Sequence, residues 1–177
     1  MIQIHGKQFE LYLSQSQIAT AVQQIAEKIN ADYQDEKVLL VAVLNGSFIF
    51  VADLMRCLKV DCQIEFIKTK SYEGMKSTGN VKMVLGLDMD LQDRHVVLLE
   101  DIVDTGNTLA TLLDIFEKQQ PKSLKVATLL FKSEALQHKD LPIDYIGIDI
   151  PNKFVVGYGL DYDDCGRQYA DIYQVVV

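Results

Sequence analysis

"LLEDIVDTGNTLATLL" (residues 98–113) places Glu100, Asp101, Asp104, Thr105 and Thr108 between two apolar runs. The run that enters it, "HVVLL" (95–99), has the length and Val/Leu content of a buried strand. The segment that leaves it, "NTLATLLDIFEKQQ" (107–120), repeats apolar residues at helical spacing and stops at Pro121. Glu100 and Asp101 therefore mark a strand exit, and Gly106 the turn into a helix. Free amides at such a helix start, with the positive end of the helix dipole, bind a phosphate. Thr105 and Thr108 add hydroxyl donors for the same anion. Carboxylates repel a phosphate, so the acids call for a different ligand. Ribose hydroxyls suit a carboxylate at a strand end, and two acids together suit Mg²⁺. Phosphate, diol and metal together describe a ribose 5-phosphate. Two other readings stay open at this point. Asp104 or Thr105 is a helix cap with the acid pair solvated, or the chain is a phosphoacceptor receiver domain. A receiver would carry its acid pair near the first strand, where this chain has "VAVLNGS" (41–47).

Outward from this stretch, strand-like and helical patterns alternate. "KVLLVAVL" (37–44), "CQIEFIKT" (62–69), "VKMVLGLD" (81–88), "HVVLLE" (95–100), "LKVATLLF" (124–131) and "YIGIDI" (145–150) read as strands. Several are near-continuous Val/Ile/Leu runs, as expected when both faces of a sheet are covered. "SQSQIATAVQQIAEKINADY" (14–33) opens on serine caps and repeats Ile18, Val22, Ile25 and Ile29 at helical spacing; "SFIFVADLMRCL" (47–58) is a second helix. The alternation predicts an α/β fold, a parallel twisted sheet flanked by helices. Ligands then gather beyond the carboxyl ends of the strands. Two segments depart from the pattern. "KSYEGMKSTGN" (70–80) is polar and reads as a flexible flap loop, while residues 151–177, rich in Gly, Tyr and Asp, read as a small hood.

The chain has 177 residues, net charge −8 and 49% apolar content, which fit one domain of an ordinary globular protein. Acids outnumber bases 25 to 17, against a broad nucleic-acid surface. No apolar run approaches a membrane span, and the start lacks a signal peptide's basic and apolar blocks, so a cytoplasmic address is expected. Cys57, Cys62 and Cys165 show no paired spacing and read as free thiols; His5, His95 and His138 lie apart from other zinc ligands.

"VVLLEDIVDTGNTL" (96–109) is similar to the phosphoribosyl pyrophosphate (PRPP) signature of the type I phosphoribosyltransferases. "VLNGSFIFVADL" (43–54), "KSYEGMKSTG" (70–79), "LLFK" (129–132) and "PNKFVVGYGLDY" (151–162) resemble, in order, further segments of that family's 6-oxopurine members, closest to the short bacterial form. The resemblance implies a purine salvage transferase that moves the 5-phosphoribosyl group from PRPP to hypoxanthine or guanine, giving IMP or GMP and pyrophosphate. It implies Mg²⁺ as cofactor, a homodimer or homotetramer, and a hood built from the N-terminal segment with residues 151–177.

The same resemblance implies residue roles. Glu100 and Asp101 would meet the ribose diol and its metal, with Asp161 at a second metal. Asp104 would handle the proton on purine N7. Thr105, Gly106, Asn107 and Thr108 would cradle the 5-phosphate. Leu44, Asn45 and Gly46 would form the pyrophosphate loop, where the family often has a cis peptide, and Arg167 would reach the same group. Ser71 and Tyr72 would begin the closing loop. Lys132 would meet the purine 6-oxo group, Phe154 would stack on the base and the Val155 backbone would read its edge. Some family members carry Lys where this chain has Asn45 or Asn107. The alternatives are a preference for xanthine or guanine, and a non-catalytic nucleotide-sensing relative.

Overall fold

The computed structural model describes residues 1–71, 81–85 and 89–176. Two sheets organise them. The larger has six strands in the order β5-β4-β3-β6-β7-β8. These are β3 (Lys37–Leu44), β4 (Asp61–Ser71), β5 (Val81–Leu85), β6 (His95–Val103), β7 (Ser123–Phe131) and β8 (Tyr145–Asp149). β4, β3, β6, β7 and β8 are mutually parallel, and β5 closes the edge antiparallel to β4.

The near-continuous apolar strands are explained by cover on both faces. Val38, Leu40 and Ala42 of β3 face one cluster with Ile18, Val22, Ile25, Ile29, Phe50 and Leu54. These last six come from helices α1 (Gln15–Asp32) and α2 (Phe48–Cys57). Leu39, Val41 and Val43 face the other cluster, with Leu109, Leu112 and Phe116 of α3 (Asn107–Glu117). Helix α1 starts where its serines predict. The Ser14 hydroxyl accepts from the Gln17 amide at 3.4 Å, and the Ser14 amide donates back to Gln17 Oε1 at 3.0 Å. Among the described residues no helix is long and apolar enough to cross a membrane.

The second sheet is the hood. β1 (Ile2–Ile4), β2 (Lys7–Leu13), β10 (Ile172–Val175) and β9 (Val155–Val156) pair antiparallel in the order β1-β2-β10-β9. The last strand of the chain, β10, thus lies beside β2 near its start. Ile4, Phe9 and Val156 form its small core, with Tyr162, Tyr169 and Tyr173 packed around them.

Two differences from the sequence reading follow from physics that periodicity does not report. Strand 81–88 is described only as Val81–Leu85, and it runs antiparallel as an edge hairpin partner of β4. The helix expected over 107–120 ends at Glu117, and Gln120 turns the chain at φ 53° before Pro121. Between β7 and β8, where the sequence reading assigned no helix, the chain makes a 3₁₀ turn at Ser133–Ala135. The flap assigned to 70–80 lies, from Tyr72 to Asn80, outside the described residues; Ser71 is the last residue of β4.

Candidate active site

In the strand order, β3 leads through α2 to β4 on one side, while β6 leads through α3 to β7 on the other. The reversal falls between β3 and β6, the place where an open parallel sheet opens a crevice at its carboxyl end. Leu44-Asn45-Gly46 leaves β3 there, and Glu100 to Thr108 leaves β6. The Leu44–Asn45 peptide is cis. The Ser47 hydroxyl, fully buried, donates to Val43 O at 2.5 Å and ties the loop back onto β3. Gly46 lies against the Asp101 carboxylate so closely that a Cβ would overlap it.

Glu100 is 6% exposed. Burial, then repulsion from Asp101, holds its carboxyl well above the usual carboxylate range. Asp101 is pushed by burial up to about 6, although backbone amides and Arg167 pull the other way. Buried Glu100 and half-buried Asp101, adjacent in the chain, therefore resist ionising together. Glu100, Ile102, Val103 and Asp104 share a cavity of about 110 Å³ with Thr105 to Leu109.

Gly106 is the N-cap of α3, with φ 82° and no side-chain cap bond. The helix-cap reading of Asp104 is thereby corrected. Its carboxylate turns the other way and accepts from Lys132 Nζ at 2.6 Å. Lys132 is itself 6% exposed, and its backbone amide donates to Val103 O at 2.9 Å. The register explains the meeting: Val103 pairs with Phe131 across β6 and β7, so the next residues, Asp104 and Lys132, leave the sheet together. The Thr105 hydroxyl comes within 3.5 Å of the Asn107 amide, a marginal bond.

The hood closes one side of the crevice. Arg167 Nη1 donates to Gly159 O at 2.8 Å, and Nη2 lies 2.9 Å from Asp161 Oδ1 and 3.5 Å from Asp164 Oδ1. Gly159 in turn packs against the Gly46 carbonyl, leaving no space for a Cβ. Asp161 adds to the repulsion that raises the Asp101 carboxyl. Phe154 is exposed, with its ring 5.6 Å from that of Tyr162 and 6.4 Å from that of Phe9. Val155 is buried in β9 opposite Gln174.

The structure thus gathers Leu44 to Gly46, Glu100 to Thr108, Lys132, Asp161 and Arg167 around one strand-end crevice. It adds Gln137 and His138, which sequence reading did not connect with the site. His138 Nε2 lies 2.7 Å from Asn107 Oδ1, and Gln137 Oε1 accepts from Asn107 Nδ2 at 3.4 Å. No periodic or motif signal surrounds these two residues, so only the folded crossover reveals them. Tyr72 lies outside the described residues.

Known proteins resemble this chain in sequence and fold. Residues 10–163 match the phosphoribosyl transferase domain family. The chain is 39% identical over 177 residues to the hypoxanthine-guanine phosphoribosyltransferase of Aquifex aeolicus, spanning 99% of each chain. It is 36% identical over 171 residues to the hypoxanthine phosphoribosyltransferase of Escherichia coli K12, covering 95% of this chain and 96% of that one. A crystal structure of a hypoxanthine-guanine phosphoribosyltransferase from Bacillus anthracis matches with a TM-score of 0.89 at 39% identity, over 94% of this chain and 98% of the other. With a signature, a sheet order and a full-length similarity that agree, this chain belongs to the type I phosphoribosyltransferase family, among its bacterial hypoxanthine and hypoxanthine-guanine enzymes.

Proposed function

We propose that the protein transfers the 5-phosphoribosyl group of PRPP to hypoxanthine or guanine, releasing IMP or GMP and pyrophosphate. The observation that carries this reading is the shared cavity at the end of β6, where buried Glu100, Asp104 and the start of α3 converge. The α3 start offers its amides, with Thr105 and Thr108, to the 5-phosphate. Glu100 and Asp101 accept hydrogen bonds from the ribose hydroxyls. Leu44 to Gly46 and Arg167 take the pyrophosphate, whose planar multi-donor recognition suits a guanidinium.

The donor set fits Mg²⁺. Glu100 and Asp101 are adjacent acids whose charge is opposed by burial and by each other, and a cation relieves both penalties. Among the described residues no group of three or more acids, His or Cys forms a cage. That suits an ion held by one or two carboxylates plus substrate oxygens and water. Glu100 and Asp101 would hold it, with Asp161 at a second position. When bound it supplies neutralising charge for the departing pyrophosphate.

Glycosidic cleavage builds positive charge on the ribose, as in other glycosyl transfers. The acidic strand end lowers the cost of that charge. Lys132 and Asp104 act on the base. The N7 and O6 atoms lie on one edge of a 6-oxopurine, and the two side chains already lie 2.6 Å apart. Asp104 accepts the N7 proton as the new C–N bond forms at N9 or is prepared there, and Lys132 donates to O6. Phe154 covers the ring face and the Val155 backbone meets its edge. Assembly into dimers or tetramers belongs to the same proposal. It is supported by exposed Phe48 on α2 and Phe66 on β4, on the sheet face that α2 covers.

An assay with PRPP, Mg²⁺ and each of hypoxanthine, guanine, xanthine and adenine tests the reading through nucleotide and pyrophosphate formed. Adenine presents an amino donor where Lys132 donates, so its kcat/KM should fall roughly 10⁴-fold below that of the better 6-oxopurine. Robust AMP formation would refute the Lys132 role, and no product from any base would refute the function.

A further inference from the structure

We propose that His138 is a positioning residue for the 5-phosphate subsite, which it organises by holding the side chain of Asn107 together with Gln137. The inference rests on the assignment of Thr105 to Thr108 as the phosphate cradle. The grip has three parts. Asn107 Oδ1 lies 2.7 Å from His138 Nε2. A carbonyl oxygen only accepts, so the ring carries its hydrogen on Nε2 and donates it. Asn107 Nδ2 donates to Gln137 Oε1 at 3.4 Å, and the Gln137 backbone amide donates to Thr105 O at 3.0 Å. The crossover segment also closes on the turn from outside. A Cβ on Gly106 would stand 2.6 Å from Leu141 and 2.9 Å from Leu136, with the His138 ring 3.8 Å away.

The consequence concerns order. A cradle made of backbone amides binds an anion well only if those amides already converge, because ordering a loop on binding subtracts from affinity. Between Thr105 and Thr108 the chain carries no Lys or Arg, and Asp104, Asp101 and Glu100 precede it. Convergence of the amides must therefore do what direct charge does not. Asn107 is the first residue of α3 and is exposed, so its side chain, unlike the packed Gly106 backbone, depends on this grip for its position. His138 and Gln137 supply that grip from the same segment whose first residue, Lys132, meets the base. One short crossover thus anchors both ends of the bound nucleotide.

The 5-phosphate is remote from the reacting carbon and is held alike before and during reaction. Loss of its positioning therefore raises KM for PRPP and leaves kcat at saturation unchanged. For a single exposed hydrogen bond the expected rise in His138→Ala is roughly 3- to 10-fold, with KM for hypoxanthine within about two-fold. His138→Gln retains an N–H donor near the Nε2 position and should restore the PRPP KM to within about two-fold of the wild type. Gln137→Ala should raise the same constant, and provides the test should His138→Ala not fold. An unchanged PRPP KM in His138→Ala overturns the proposal, as does an equal rise for both substrates or a failure of the Gln variant to rescue. Thr105→Val separates the two levels. If it raises PRPP KM while His138→Ala does not, the positioning role alone fails. If neither variant changes it, the cradle assignment fails with it.

Discussion

Gly46 and Asp101 face each other across the switch point with no room for a side chain between them. Gly46→Ala must displace either the β3 loop or the acid. Displacing a reacting group by about 1 Å costs on the order of 10²-fold in rate. The variant should thus lose at least that in kcat/KM while unfolding close to the wild-type temperature. Near-normal kinetics would show that the loop has slack. The Asp104–Lys132 pair makes the complementary prediction. Asp104→Asn keeps the shape and removes the base, so kcat should fall about 10²- to 10⁴-fold. It also leaves Lys132, 6% exposed, without a counter-charge, so the melting temperature should drop as well. A drop in melting temperature with kcat intact would reduce the pair to a structural bond. The individual residues are legible in sequence, but their partnership is not. Positions 104 and 132 meet only because β6 and β7 pair Val103 with Phe131.

Among the elements, α1 is tied to the far end of the sheet by a polar cluster. Asp32 Oδ2 accepts from Lys125 Nζ and from the Tyr145 hydroxyl, each at 2.7 Å, joining α1 to β7 and β8. Those two bonds hold the Asp32 carboxyl below its ordinary 3.8, and burial only partly opposes them. At a pH just under that value the unfolded chain binds a proton at Asp32 that the folded chain does not. The stability from this group is therefore present above about pH 3.8 and is lost as pH falls through the lower folded value. Asp32→Asn should lower the urea midpoint at pH 7 and flatten its decline below the ordinary carboxylate value of 3.8. Parallel curves for wild type and variant would refute the linkage. Elements such as α1 and β3 are readable beforehand because each carries a single strong period, 3.6 residues for α1 and an unbroken apolar run for β3. The β7–β8 crossover is not readable, because Ser133 to Leu141 has no period and is shaped by packing on the Gly106 turn. β5 is legible as a strand but not as antiparallel, since direction is set by its pairing with β4 rather than by its composition.

For the molecule as a whole, function depends on how the hood meets the sheet. Its own core is small, three buried residues and a ring of tyrosines, and Leu13, Val155, Tyr158, Leu160 and Ile172 join it to the cluster under α1 and α2, with polar tethers beside them. The Tyr158 hydroxyl donates to Asp53 of α2 at 2.7 Å, and the Gln15 amide at the start of α1 donates to Asp171 at 2.8 Å. At the site itself one line of contact runs from Arg167 to Gly159, from Gly159 to the Gly46 carbonyl, and from Gly46 to the Asp101 carboxylate. The hood is thus fixed to the crevice by the same arginine proposed to meet pyrophosphate, and the β3 loop is clamped between hood and β6. Arg167→Lys preserves the charge but loses the planar fork that bonds Gly159 and Asp161 together. Two changes should appear together: kcat/KM for PRPP falling roughly 10-fold or more, and faster amide exchange at Gly159 and Tyr162 than in the wild type. The global melting temperature should move little, because the substitution leaves the buried side chains of both sheet clusters in place. Slower turnover with unchanged exchange would mean that Arg167 acts on substrate alone. Faster exchange with full activity would mean that the hood can loosen without disturbing Asp101.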